Sequence, residues 1–571
     1  METTENLTSQ SSMGNKEDDV ASSKPTTPGP AARSTVKPHK PLLKRYITLS
    51  AAQAEEEDMR AELQYAKKKA EFYNAFADRQ KEIQELVAFH CGLTNPDLVQ
   101  VPEMFGKNNE LVWVHGSFNM CIPVRLNAGL SLPAKLGLRV PLPYKLGEET
   151  FPGNAEEKVR SEAATYIWVN ENCPDVPIPK LRGFGVTGGL SALGEQFCQL
   201  RFAPLWQRLK WYFWRIVRPF YRSHELHVSQ YVPRKRTALS EYSYILMDWI
   251  EDDTTQMLSD TFFSPHTDFQ TENLYRDMSR IMISLAKIPQ SRIGSWTVNN
   301  QGQISLTNRP MFCYLHQLEN WSIPTDIPRG MTYASADSLY LDVLGCHDNR
   351  LRFQANAAFD EIDARLQAKD LVLMRALLHK FTNRCERDGP FIMQFTDMHQ
   401  SNILVDKDWN IKHIIDLEWT CSLPLGFLRP PFWLTGMGVD EIEGPEYDRF
   451  KACYETFVEV FEQEEASSSS LLLNRGVPYS PATSIKTALK DGQYWYFSAL
   501  HSPKGLFNIF RAHLEPMFDK VPKDTLREGI SPFWTPGMTS FVDFKLNGYT
   551  RYLQEVHDVF NSNQSGTLRL L

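Results

Sequence analysis

The stretch of this sequence that most restricts its fold is "NILVDKDWNIKHIID", residues 402–416. Two short apolar runs flank a polar turn, and this pattern is typical of a β-hairpin. A hairpin brings its two ends together, so Asp416 should lie beside Asn402. Asp397 precedes Asn402 by five residues on the same loop. The sequence therefore predicts that three oxygen-bearing side chains meet at the open end of this hairpin.

These three residue types suit one chemistry in particular. Phosphoryl transfer requires a group that orients a hydroxyl or accepts its proton. It also requires hard oxygen ligands for Mg²⁺. Asp397 would take the first role, and Asn402 and Asp416 would bind the metal. Taken one at a time, each of them could also be an ordinary cap or turn residue.

Composition and charge exclude several other classes of protein. About 42% of the 571 residues are hydrophobic, enough for a sizeable core, and the net charge of −8 gives no support for a nucleic-acid binder. The nine cysteines contain no CxxC pair, which argues against a disulfide framework and a structural zinc site. The sequence has no run of 18 apolar residues and no apolar signal core at its start. An intracellular, cytoplasmic protein is expected, with association with mitochondria left open.

The chain divides into four parts by composition and apolar pattern, and the predicted class is α+β. Residues 1–46 are rich in Ser, Thr, Pro and charge and are expected to be a disordered tail, and 50–92 form a helical segment. Residues 105–250 contain short apolar runs and one strongly helical stretch, and include a basic aromatic insertion at 201–236. Residues 251–571 are mainly helical, with a flexible loop expected at 464–484.

The pattern resembles the aminoglycoside phosphotransferase and choline kinase group, and most closely the fungal proteins that carry this domain. The motif behind the resemblance is "FTDMHQSNILVD" followed by "IKHIIDLEW", and the resemblance covers residues 105–465. It implies a protein-kinase-like fold with a small antiparallel β-sheet lobe, one main helix and a large helical lobe. It also implies ATP and Mg²⁺ as cofactors, Asp397 as the catalytic residue, and Asn402 and Asp416 as metal ligands.

The resemblance assigns further residues in the small lobe. The turn "GSFN" would cover the phosphates, Arg139 and Glu162 would form the cation–helix pair, and the backbone near Met247 and Trp249 would bind adenine. The residues implied to bind the cofactor are Gly116, Ser117, Phe118, Asn119, Arg139, Glu162, Met247 and Trp249. For Arg139 and Glu162 an ordinary surface ion pair is the alternative.

Two positions depart from the family pattern. Phe395 stands where the family usually has His, and Arg139 stands where it has Lys, which is not an equivalent cation. Two functions therefore stay open: a kinase that phosphorylates a hydroxyl of a small molecule, and an inactive kinase-like scaffold. No long activation segment follows Asp416, which disfavours a protein kinase. Acidic residues at Asp440, Glu441 and Glu443 would suit a cationic acceptor, but the acceptor and the oligomeric state are not determined.

The segment 201–222 is basic and aromatic and contains no acidic residue. On a helix, Leu205, Leu209, Tyr212 and Ile216 share one face. One interpretation is weak peripheral contact with a membrane. The other is a helix that packs on the sheet through its aromatic side chains. No transmembrane segment and no nucleic-acid partner are expected.

Overall fold

The computed structural model describes residues 39–562 except 128, 130–131, 189–192, 218–225 and 469–470, and the side chain of Cys313 is also outside the description. The described chain is 48% helix and 18% strand, with several small antiparallel sheets, so the predicted α+β class is confirmed. Most of the predicted tail, residues 1–38, lies outside the described residues. Within them, no helix has the length and apolarity needed to cross a bilayer.

Helices and strands follow one another along the chain in much the same order that the apolar patterns indicate. The strands are β1 (His39–Pro41), β2 (Tyr46–Thr48), β3 (Val99–Gln100), β4 (Val114–His115), β5 (Asn119–Leu126), β6 (Lys135–Pro141), β7 (Leu181–Val186), β8 (Gly194–Gln199), β9 (His227–Val228), β10 (Tyr231–Arg236), β11 (Tyr244–Asp248), β12 (Gln256–Met257), β13 (Ser295–Val298), β14 (Gln303–Asn308), β15 (Phe391–Phe395), β16 (Ile403–Val405), β17 (Ile411–Ile414), β18 (Thr420–Pro424), β19 (Leu473–Asn474) and β20 (Val477–Pro478). The helices are α1 (Leu49–Ala54), α2 (Met59–Ala77), α3 (Gln80–Cys91), α4 (Asn154–Asn172), α5 (Leu205–Val217), α6 (Asp268–Ala286), α7 (Cys313–Asn320), α8 (Ala336–Phe353), α9 (Glu361–Ala376), α10 (Leu378–Phe381), α11 (Pro445–Ser467), α12 (Pro481–Ala488), α13 (Gln493–His501), α14 (Leu506–Ile509), α15 (Lys523–Ile530) and α16 (Met538–Asn561).

The main sheet has the strand order β10-β8-β7-β11-β6-β5-β3, with β4 also paired to β5, and every pairing is antiparallel. Strand β10 belongs to the range 201–236 that was predicted to be an insertion. That prediction is wrong for residues 231–236, which form the edge of the sheet. The basic sequence of residues 231–236 and the presence of Pro233 do not indicate a strand, because proline is tolerated on an edge strand but is atypical of a central one.

The two faces of this sheet have different neighbours because side chains alternate along each strand. Leu138 and Val140 of β6 and Leu246 of β11 pack in one buried cluster with residues of α2 and α3. Ile245 and Met247 of β11 join the opposite cluster, which includes α4 and most of the helical part of the chain. Arg139, between Leu138 and Val140, therefore points to the α4 side.

Helix α4 is anchored to the helical part by a buried ion cluster. Arg309 binds Glu157 of α4 (Nη2–Oε2, 2.8 Å) and Glu319 of α7 (Nη1–Oε1, 2.6 Å), and its side chain is 3% exposed. Arg329 also reaches Glu157, with Nε 3.1 Å from Oε2. These contacts tie α4 to the helical part of the chain.

Three regions differ in detail from the sequence predictions. The last residues of the predicted tail are structured, because β1 and β2 form a hairpin whose Ile47 packs with α16. The expected flexible loop 464–484 contains the end of α11, the β19–β20 hairpin and the start of α12. Within the mainly helical range, β13 and β14 form a hairpin that pairs with β9. Short strands with few apolar residues give little periodic signal, which explains why they were missed.

Candidate functional site

Two strand pairs bring the predicted residues together. Strand β15 pairs with β18, and the N–H of Thr396 donates to the carbonyl of Trp419 (3.0 Å), so Asp397 and Glu418 lie at the same end of this pair. Strands β16 and β17 form the predicted hairpin, and the N–H of Ile415 donates to the carbonyl of Asn402 (2.9 Å). Asp416 is therefore placed beside Asn402, as the sequence pattern predicts.

Asn402 also links the two acidic residues. Its side-chain Nδ2 donates to the backbone carbonyl of Asp397 at 2.8 Å, which orients the loop. Burial, and then the charge of Asp416, raise the pKa of Asp397 to about 7. A carboxyl group with this pKa can accept and release a proton near neutral pH.

Arg139 connects the sheet, α4 and the hairpin. Its Nη1 donates to Glu162 Oε1 (2.6 Å), and its Nη2 donates to Asp416 Oδ1 (2.6 Å) and Glu418 Oε2 (3.0 Å). The Arg139 side chain is 11% exposed and that of Glu162 2%, so the pair is not a surface ion pair. The planar guanidinium has five donors and can bind three carboxylates, whereas a lysine ammonium has three donors on a single atom.

A second cation completes this network. Lys158 of α4 is fully buried, forms an ion pair with Glu418, and donates to Asn119 Oδ1 at 2.7 Å. Asn119 in turn donates from Nδ2 to Glu418 Oε2 at 2.5 Å. We refer to Arg139, Lys158, Glu162, Asp416 and Glu418 as the charged network.

The charged network keeps one carboxylate ionised. Burial raises the pKa of Glu162 and of Glu418. Burial alone would also raise the pKa of Asp416, but the charges of Arg139 and Lys158 outweigh this and lower it. Asp416 therefore stays negatively charged at neutral pH.

Asn402 and Asp416 carry side-chain oxygens of the hard type that Mg²⁺ prefers. Carboxylates of Glu162, Asp416 and Glu418 lie close enough to share a cation, but Arg139 and Lys158 already bind them. The Asp416 side chain is 30% exposed at the mouth of the hairpin, which leaves room for a metal beside it. Mg²⁺ prefers hard oxygens and retains several waters, so two protein ligands are enough.

The turn "GSFN" joins β4 to β5, and its residues have different surroundings. The N–H of Gly116 donates to the carbonyl of Asn119 (2.8 Å), and Gly116 and Ser117 are exposed. The ring of Phe118 packs edge-on against Trp419, with centroids 5.2 Å apart. The side chain of Asn119 is bound to Lys158 and Glu418, so only Gly116 and Ser117 face the solvent where phosphates would bind.

The segment predicted to bind adenine is covered by its own tryptophan. The N–H groups of Asp248 and Trp249 donate to the carbonyls of Lys180 and Lys135, at 3.0 and 3.4 Å. The indole of Trp249 lies over Gly137, where a Cβ would be 3.3 Å from Trp249 Cε3. Met247 is buried, and its sulfur accepts a hydrogen bond from Tyr166 at 3.8 Å. Adenine binding near Met247 and Trp249 stays a prediction, and it would require the indole to stack on the base or move.

A cavity of about 350 Å³ opens beside Asp397. Its walls are mostly apolar and aromatic, and Phe395 lines it while also packing against the main buried cluster. At this position Phe395 supplies packing to the loop and a wall to the cavity. The polar lining residues include Tyr314, Asp397, Arg429, Ser498 and His501.

No family model and no curated protein matched the chain. The resemblance to the aminoglycoside phosphotransferase group thus stays a prediction.

Lys158, Glu418 and the cavity were not predicted from the sequence to belong to the site. Lys158 precedes Glu162 by one helical turn and shares its face, which is the one signal that could have indicated a shared role. The cavity residues Tyr314, Arg429 and His501 come from three distant segments and share no sequence pattern. Only the packing of those segments brings them together.

Proposed function

We propose that the protein is an ATP- and Mg²⁺-dependent phosphotransferase that phosphorylates a hydroxyl group of a small molecule. The observation that carries the proposal is the Asp397 carboxyl group, which lines the cavity and lies beside Asp416 and Asn402. In this proposal the fold is protein-kinase-like. The main sheet with α4 corresponds to the small lobe and the helical part to the large lobe.

The residues present suit each part of the reaction. When bound, ATP with Mg²⁺ would supply the phosphoryl group and neutralise its negative charge. Asn402 and Asp416 would hold the metal, and Arg139 keeps Asp416 oriented and ionised. Asp397 orients the acceptor hydroxyl and takes its proton as the new O–P bond forms and the bond to the ADP oxygen breaks. With a substrate bound, the apolar walls of the cavity would limit the access of water, which competes as an acceptor.

Calorimetric titration with ATP, with and without Mg²⁺, tests this proposal. We expect magnesium-dependent binding by the wild type, and binding at least about tenfold weaker in Asp416→Asn, because a charged metal ligand is lost. Asp406→Asn is the matched control, since Asp406 lies in the turn of the same hairpin and caps Asn410 there. It should bind like the wild type.

The second candidate function is an inactive kinase-like scaffold. It is favoured by the Trp249 indole over Gly137 and by the use of both neighbouring N–H groups within the sheet. Absence of ATP binding under both conditions of the titration would support the scaffold and exclude the phosphotransferase. Equal binding by the wild type and Asp416→Asn would instead remove Asp416 from the metal site.

Helix α5 favours an additional contact with an anionic bilayer surface. Seven of its large apolar side chains are 47–69% exposed, whereas Trp211 is buried. The interpretation that its aromatic residues pack on the sheet therefore holds for Trp211 alone among those described. Arg208, Lys210 and Arg215 are exposed along the same helix, and no acidic residue is present. Exposed aromatic and basic residues together suit an anionic membrane interface. Arg218 and Arg222 of this segment lie outside the described residues.

Co-sedimentation with vesicles tests this contact. We expect the wild type to sediment with phosphatidylserine-containing vesicles and much less with neutral ones, and Arg208→Glu with Lys210→Glu to abolish the difference. The matched control is Arg449→Glu with Lys451→Glu, which makes the same charge change on the exposed face of α11. Equal sedimentation of the wild type and the α5 variant would exclude the electrostatic contact.

A further inference from the structure

Arg429 is an unusual cation in this structure. It lines the cavity beside Asp397, and no hydrogen-bond partner reaches its Nη1 from the described part of the chain. The side chains that act on its charge there are the neutral Tyr494 and Tyr454, without any carboxylate, and its Cζ lies 5.9 Å from the Tyr494 ring centroid. Burial consequently lowers the pKa of Arg429.

Three other largely buried arginines are bound by protein groups. Arg139 and Arg309 bind carboxylates, and Arg350 donates to Gln354 Oε1 (3.0 Å) and to the carbonyl of Pro503 (2.7 Å). Enclosing a charged group without a hydrogen-bond partner is costly, so proteins seldom retain one without a use. Arg429 therefore has the properties of a side chain whose partner is a bound ligand.

We infer that the acceptor is a small hydroxylated anion, whose carboxylate or phosphate group binds Arg429 while its hydroxyl faces Asp397. This inference rests on the proposed function, since it names the substrate class of the same cavity. A guanidinium binds the planar pair of oxygens in such an anion with two parallel hydrogen bonds.

Two further polar atoms of residues that line the cavity are available to a bound anion. The hydroxyl of Tyr314 and Nε2 of His501 are enclosed, and neither has a partner in the described residues. Burial raises the pKa of Tyr314 and lowers that of His501 to about 3, so the tyrosine stays a donor and the imidazole stays neutral. The rings of Phe312 and Phe427 lie 4.8 and 5.8 Å from the His501 ring and restrict its orientation.

The same geometry disfavours a cationic acceptor. Asp397 is the one carboxylate among the residues that line the cavity, and it is assigned to the hydroxyl. Asp440, Glu441 and Glu443, which were predicted to suit a cation, do not line it. Glu441 instead accepts a hydrogen bond from the N–H of Gly438 at 3.0 Å. The volume of about 350 Å³ suits a small metabolite rather than an aminoglycoside.

The first experiment measures anion binding without nucleotide, so that it does not depend on catalysis. Glycerate, glycerol 3-phosphate and inorganic phosphate are titrated against the full chain by calorimetry, with glycerol and choline as neutral and cationic probes. We expect at least one of the two hydroxylated anions to bind, and Arg429→Met to weaken it at least about tenfold through loss of the bidentate contact. Arg387→Met, outside the cavity and paired with Asp337, should bind like the wild type.

The stability of the variant serves as a second measurement. Because no carboxylate pairs with Arg429 among the described residues, Arg429→Met should unfold at the same temperature as the wild type or a higher one, and the milder Arg429→Gln should behave alike. The binding anion should raise the unfolding temperature of the wild type only. Absence of binding by every anion tested, or equal binding by the wild type and Arg429→Met, would overturn the inference.

A transfer assay with Mg²⁺ and ATP separates this inference from the proposed function. Anion binding that depends on Arg429, without phosphoryl transfer, would support the anion site and contradict the phosphotransferase function. Transfer to glycerol or choline at the same rate in the wild type and Arg429→Met would support the phosphotransferase function and contradict the anionic acceptor.

Discussion

Replacement of Asp397 by asparagine should lower the rate of phosphoryl transfer by about 10² to 10⁴-fold, the usual contribution of a positioned general base. Asparagine preserves the shape of the side chain and its place beside the cavity, but it cannot take a proton from the acceptor. The measurement is the initial rate of Mg²⁺- and ATP-dependent ADP formation with a bound acceptor, compared with the wild type at the same acceptor occupancy.

The fold of this variant should be intact, and the pKa of Asp397 gives the reason. In the folded protein this pKa is raised to about 7, above the value of about 3.9 for an unfolded aspartate. Ionised Asp397 therefore costs stability, and this cost grows as the pH rises from 4 through 7. At pH 8, Asp397→Asn should be at least as stable as the wild type in thermal unfolding. An unchanged transfer rate would exclude Asp397 as the base.

Replacement of Arg309 by leucine should lower the free energy of unfolding by about 3–5 kcal/mol, because buried carboxylates lose their counter-ion. Arg309 makes two hydrogen bonds to Glu157 (Nε–Oε1 2.9 Å, Nη2–Oε2 2.8 Å) and two to Glu319 (Nη1–Oε1 2.6 Å, Nη2–Oε2 3.0 Å). It also donates to the carbonyl of Ile327 at 3.0 Å. Leucine satisfies none of these acceptors, and Arg329 compensates Glu157 only in part.

Urea denaturation followed by fluorescence measures this loss. Arg449→Leu is the control, because Arg449 is 64% exposed and its ion pair with Glu446 should contribute less than about 1 kcal/mol. Since α4 also carries Lys158 and Glu162, Arg309→Leu should weaken ATP binding if the charged network orients the site. A loss of stability no larger than that of Arg449→Leu would show that the buried cluster does not anchor α4.

The parts of the site that could be predicted are those set by local patterns. The apolar runs on either side of the 406–410 turn determine the hairpin. The hairpin places Asp416 beside Asn402 independently of the rest of the chain. Strand alternation places Arg139 on the face opposite Leu138, toward the helix that follows. The pairing of Arg139 with Glu162 was instead implied by the family resemblance. The hairpin and the orientation of Arg139 need only short-range periodicity.

Other features were decided by tertiary structure alone. Lys158 meets Glu418, and Arg309 meets Glu157, because distant segments pack together, and no pattern within either segment specifies the partner. Arg429 shows this most clearly, because the sequence does not indicate whether an arginine is ion-paired, solvated or buried without a partner. The sequence by itself determined which chemistry the hairpin can support. Packing decided which residues surround it, because burial and charge compensation depend on segments that meet only in the folded chain.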